Sequence, residues 1–68
     1  MKKNYTYYKH KKRNNYFMRI ADGSNNYKWY SFGDNKWHKS DCNNNDISKY
    51  YTKITEQECN DLIFIESI

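Results

Sequence analysis

The chain has 68 residues, a net charge of +4, eight Tyr, three Phe and two Trp, with no Pro or Val and a single Leu. That length allows one small domain, residues 1–68, without room to enclose a small-molecule substrate, and no stretch reaches the roughly 20 apolar residues of a membrane-spanning helix. Poverty in aliphatics taken alone would suggest disorder, so a folded domain here has to build its core from rings, which bury ~150–250 Å² each.

Met1-Lys2-Lys3 could open a leader peptide, but Asn4-Tyr5-Thr6-Tyr7-Tyr8-Lys9-His10 is not the apolar run that should follow. The expected location is cytoplasmic, where Cys42 and Cys59 stay reduced. Asn4 to Lys9 alternates Tyr5 and Tyr7 against Thr6 and Tyr8, which predicts a first strand. Lys9, His10, Lys11, Lys12, Arg13, Asn14 and Asn15 then read as a basic turn, since Asn tolerates the dihedrals of a tight connection. Such a run is either a solvated loop or a clamp for phosphates.

The stretch 16–39 predicts an antiparallel meander. Three runs of aromatic and β-prone residues are split by Asp22-Gly23-Ser24-Asn25-Asn26 and by Gly33-Asp34-Asn35. Alternation assigns faces. The economical assembly sends Met18, Ile20, Trp29 and Trp37 to the core and leaves Phe17, Arg19, Lys28, Tyr30, Phe32, Lys36 and His38 on a second face that is basic and aromatic together.

Ser40 to Asp46 is rich in turn formers and reads as a loop. Ile47 to Ile54 reads as a further strand, with Tyr50, Thr52 and Ile54 alternating against Tyr51 and Lys53. Thr55-Glu56-Gln57-Glu58 is a capping box, with Ile54 and Cys59 at the positions of a hydrophobic staple, so a helix is expected from Thr55. Its apolar stripe carries Cys59, Leu62 and Ile63. Phe64, Ile65 and Ile68 do not fit that stripe, so either the helix is buried on more than one side or its end runs as an extended tail. The expected fold is α+β: a small antiparallel β-meander of three to five strands with one C-terminal helix packed on one face.

Catalytic and metal signatures are weak. His10, His38, Cys42 and Cys59 lack the close pairing of structural zinc ligands, and nothing places a thiol beside a histidine with an orienting third group. Glu56 and Glu58 are two apart on a helix and do not share a face. The expectation is a binding protein, not an enzyme, with no metal and no cofactor. Charge is more telling. Residues 1–39 carry ten Lys or Arg against Asp22 and Asp34, a balance of +8; residues 40–68 carry Lys49 and Lys53 against six acids, a balance of −4. A basic half steers encounter with an acidic partner. The candidate binding residues, for protein or nucleic acid, are Lys9, Lys11, Lys12, Arg13, Phe17, Arg19, Lys28, Tyr30 and Lys36.

Rings beside cations can stack bases while neutralising phosphates, and Tyr, Trp and Arg also dominate protein interface hot spots. The Asn/Lys/Tyr/Ile bias of Met1-Lys2-Lys3-Asn4-Tyr5 and Asn43-Asn44-Asn45-Asp46, with the short length and the meander plus helix, resembles the orphan phage and mobile-element proteins of the anti-CRISPR and anti-defence type. The resemblance lies in character, not in a motif, and carries no residue roles. It implies an inhibitor that occludes a host nuclease complex or its nucleic-acid channel; single-stranded nucleic-acid binding is the alternative.

Overall fold

The computed structural model describes residues 4–68, so the considered leader residues Met1, Lys2 and Lys3 lie outside the described residues. The elements in chain order are β1 (Tyr5–His10), β2 (Phe17–Ala21), β3 (Tyr27–Ser31), β4 (Lys36–Lys39), α1 (Asn44–Tyr50), β5 (Tyr51–Ile54) and α2 (Glu56–Glu66). The strands form one antiparallel sheet in the order β4-β3-β2-β1-β5. The α+β architecture expected from the sequence is therefore observed, with consecutive strands adjacent in the meander. β5 returns to pair with β1.

The turns explain the strand boundaries. Gly23 adopts φ +82° between β2 and β3, and Asn35 adopts φ +58° between β3 and β4, a conformation that Asn tolerates because its short amide can bond locally.

The helices cover opposite faces. Cys59 on α2 packs with Tyr7 and Phe17, joined by Tyr30, Trp37, Ile54, Leu62 and Ile63. Ile47 on α1 packs with Met18 and Tyr27, joined by Tyr8, Ile20 and Tyr51. Phe17 and Met18 are sequence neighbours on a strand and so point to opposite faces. The sheet is a middle layer, not one wall of a two-layer fold.

Segment 40–54 corrects the sequence reading. The chain expected as a loop and then one long strand contains the two-turn helix α1, and the strand is only its last four residues. Asn43 and Asp46 form a second capping box: the Asp46 N–H donates to Asn43 Oδ1 at 2.9 Å, and the Asn43 N–H donates to Asp46 Oδ2 at 3.5 Å. The helix forms because that box satisfies its first donors and because Ile47 gains burial on the sheet, two gains that outweigh poor intrinsic propensity.

α2 starts where expected. The Glu58 N–H donates to Thr55 Oγ1 at 3.1 Å and the Thr55 N–H to Glu58 Oε1 at 3.3 Å. Neither alternative for its end holds. The helix continues to Glu66, and Phe64, Ile65 and Ile68 stay exposed.

The face assignment of the tryptophans also needs correction. Cross-strand partners share a face, and the register pairs Trp29 with His38 and Tyr30 with Trp37. Trp29 and Trp37 therefore lie on opposite faces. Trp37 is under α2 with Phe17, while Trp29 lies on the α1 face and remains 42% exposed. The cause is the parity of the β3–β4 turn, since one residue more or less between strands moves every side chain beyond it to the other face. Trp37→Ala is thus expected to cost about 3 kcal/mol, at the low end for loss of a core ring, and Trp29→Ala less than about 1 kcal/mol as a largely surface change. Urea unfolding midpoints of the two variants check this; equal losses would contradict the register.

Candidate binding surface at the turn end of the sheet

His10 closes β1, and its Nδ1 accepts from the backbone N–H groups of Lys12 at 3.1 Å and Arg13 at 3.2 Å. Acceptance at Nδ1 puts the proton of the neutral ring on Nε2. The ring is also the centre of an aromatic cluster. It stacks on Tyr50 at 6.3 Å with an interplanar angle of 12°, and it meets Tyr51 at 5.0 Å and Tyr16 at 5.8 Å edge to face. The Arg13 guanidinium lies 5.3 Å from the Tyr16 ring centre, and the Lys49 ammonium 5.3 Å from that of Tyr50, both within cation–π range.

The β1–β2 turn thereby meets the C-terminal end of α1. The Lys11 N–H donates to Tyr50 O at 2.9 Å, and its ammonium donates to Ser48 O at 3.4 Å and Lys49 O at 3.3 Å. A cation there satisfies carbonyls left free by the last helical turn and suits the negative end of the helix dipole. An open cleft of about 580 Å³ remains, lined by His10, Lys11, Lys12, Arg13, Lys49 and Tyr50.

The β3–β4 turn lies at the same end of the sheet, because both hairpins close there in the antiparallel order. His38 stacks on Trp29 with ring centres 5.0 Å apart and 28° between planes. Its Nε2 lies 2.8 Å from Asp34 Oδ2. The Asp34 carboxyl titrates below its ordinary value: desolvation pushes it up, and hydrogen bonds from His38, Ser31 and the Lys36 N–H, with the charge of His38, outweigh that push.

Between the two turns the sheet opens. Pairing of β2 with β3 ends at Met18 and Trp29, whereas β3 continues beside β4 to Ser31. A second cleft of about 450 Å³ lies there, with Tyr16, Phe17 and Met18 on one side, Trp29, Tyr30 and Phe32 on the other, and Tyr51, Cys42, Ser40 and Asn15 around it.

The nine residues singled out by sequence do not come together. Lys11, Lys12, Arg13 and Lys36 lie at the turn end, all four exposed. Phe17 is only 1% exposed and belongs to the core. Arg19 is half-buried between Tyr5 and Trp37, its guanidinium carbon 4.1 and 4.5 Å from their ring centres, and its Nε is buried without a hydrogen-bond partner. Tyr30 is half-buried against Trp37 and Phe32. Lys9 is half-buried, with its ammonium on His10 O at 3.3 Å, and Lys28 is exposed opposite Lys39. The basic aromatic platform drawn through Phe17, Arg19 and Tyr30 is therefore the floor beneath α2, not an open face. In its place stand Tyr16, Trp29 and Tyr50, which are 46%, 42% and 45% exposed, with His10, His38 and Lys49. Neither Tyr50 nor Lys49 could be placed while α1 was read as strand.

Among the described residues there is no group of three or more His, Cys, Asp or Glu suited to a metal ion, and no helix is long and apolar enough to cross a membrane. No known family profile, curated protein or solved structure matches the chain.

Burial pushes the Cys59 thiol up to about 11, with a smaller lowering from Arg19. Desolvation is likewise the first cause of the raised values of Tyr7, Tyr27 and Tyr51. All four groups are stabilising while neutral. Their contribution is complete below their ordinary values of 9.0 for the thiol and 10.0 for the phenols, and it is lost as pH rises through the raised ones. Urea midpoints are thus expected to fall with increasing alkalinity above about pH 9, the ordinary thiol range. A thiol reagent at neutral pH is expected to modify half-buried Cys42 in the native protein and to reach Cys59 only in urea; equal native rates would contradict the burial of Cys59.

Proposed function

We propose that this chain is a non-catalytic binding protein that occludes a macromolecular partner through the turn end of its sheet. The observation that carries this reading is the coincidence of three exposed rings, Tyr16, Trp29 and Tyr50, with the cations Lys12, Arg13, Lys36 and Lys49 on one end of a small domain. Exposed Tyr, Trp and Arg are the side chains that anchor interfaces, and a one-signed patch steers encounter. The partner surface is acidic or carries bound nucleic acid. The acidic α2, with Glu56, Glu58, Asp61 and Glu66 and no basic residue, repels the same partner from elsewhere on the molecule. Its resemblance in size and composition to anti-defence proteins makes a defence nuclease complex of a host cell the partner of choice.

Affinity capture from a bacterial lysate, with and without nuclease treatment, tests the reading. A protein that stays bound after nuclease treatment and is lost with the double variant Lys12→Glu/Arg13→Glu is the expected result. Turnover of a small molecule by the purified chain would overturn it.

A second reading is favoured by the Trp29–His38 stack, an exposed planar surface beside cations. On this reading the chain binds single-stranded nucleic acid, stacking bases at ~1–3 kcal/mol each. Affinity for a labelled oligonucleotide is then expected to fall steeply as salt rises, because each neutralised phosphate releases a counterion. Titration at two salt concentrations checks it, and absence of binding at low salt removes this reading alone.

A further inference from the structure

We infer, on the basis of the single-strand reading, that the cleft between Tyr16 and Trp29 takes one unpaired base, with the adjoining phosphates held by Lys12, Arg13 and Lys49. The cleft is a consequence of the sheet's own geometry. β2 and β3 stop pairing at Met18 and Trp29, so the gap between them is walled by rings from both strands and floored by the buried Met18. Trp29 is held in place from outside by the His38 stack, and His38 in turn by Asp34. Tyr16 is held by the edge of His10. A slot whose walls are already positioned loses little side-chain entropy when a flat ring enters it. Asn15 and Ser40 at its margin offer the polar groups that a base edge needs.

Charge selects the occupant. Arg13 lies over Tyr16, which lines the ring cleft, and Arg13 also lines the basic cleft with Lys12 and Lys49. A ring site and a cation site thus share a border, and a nucleotide presents one flat ring and one phosphate joined by a sugar. An acidic protein segment offers carboxylates without a ring at fixed spacing. The Asp34 carboxylate beside the Trp29–His38 stack is engaged by His38.

The test compares three probes on the full chain at low salt: a thymidine oligonucleotide, an abasic oligonucleotide of equal length and charge, and poly-glutamate. The thymidine strand is expected to bind roughly tenfold to a hundredfold tighter than the abasic strand, the equivalent of one base stack. Trp29→Ala is expected to bring the two strands to parity, and Trp29→Phe to preserve part of the preference. Equal affinity of the wild-type chain for both strands overturns the base cleft while leaving charge-driven strand binding in place. Failure of both strands to bind removes the single-strand reading itself. Poly-glutamate binding as tightly as the thymidine strand assigns the surface to acidic protein and overturns the base cleft as well.

Discussion

Tyr7 is the residue on which the fold closes. It is buried in β1, an interior strand, paired across the sheet with Arg19 of β2 on one side and Ile54 of β5 on the other. Its ring meets Tyr5 and Trp37, and its hydroxyl donates to Glu56 Oε2 at 3.1 Å in the first turn of α2. Through its backbone and side chain together, one residue therefore ties β1, β2, β4 and β5 to the terminal helix. A buried phenol is tolerated there because its polar end finds a partner while its ring supplies apolar area. Its contacts with Ile54 and Glu56 join residues more than 40 positions apart in the chain, so the last strand and helix are anchored at this centre.

Covering both sheet faces is what a chain short of aliphatics requires. Phe17, Met18 and Cys59 are the most completely buried large side chains, and the remaining packing on the two faces is done largely by half-buried rings with few aliphatics. Arg19 shows how far this goes: a guanidinium serves as filler between Tyr5 and Trp37, a role its planar, weakly hydrated head allows. With both faces packed by helices, the sheet itself is open mainly at its ends and edges, while Phe64, Ile65 and Ile68 at the C-terminal end stay exposed. The edge strands are poor alternatives, since β4 carries Lys36 and Lys39 and β5 carries Lys53, charges that discourage strand addition.

The charge halves of the sequence become two poles only in part. Lys49, from the acidic half, joins the basic turn through α1, and Lys28 and Lys39 from the basic half lie on the α2 face away from it. Lys11 stays exposed but its ammonium is tied to the α1 carbonyls, and Lys9 is half-buried with its ammonium on His10 O. The outward cations at the turn end are thus fewer than the run of basic residues suggests, and better ordered, because His10 holds the turn backbone.

The local signals determined much of the outcome. The Thr55 capping box, the meander of three runs and the Asn and Gly turns are short-range physics, written in residues a few positions apart, and each appears in the structure. The Asn43–Asp46 box was equally local, but its helix was obscured by the β-prone Tyr50, Tyr51, Thr52 and Ile54 that follow. What only the tertiary structure decided was which face each ring occupies. In a chain where Phe, Tyr and Trp serve equally as core or as surface, alternation leaves two assignments of similar apolar content. The parity of the β3–β4 turn and the packing of α1 on the second face chose between them. That choice buried Phe17 and left Trp29 exposed, because side-chain direction along a strand reverses with each residue while hydrophobicity in this sequence hardly changes.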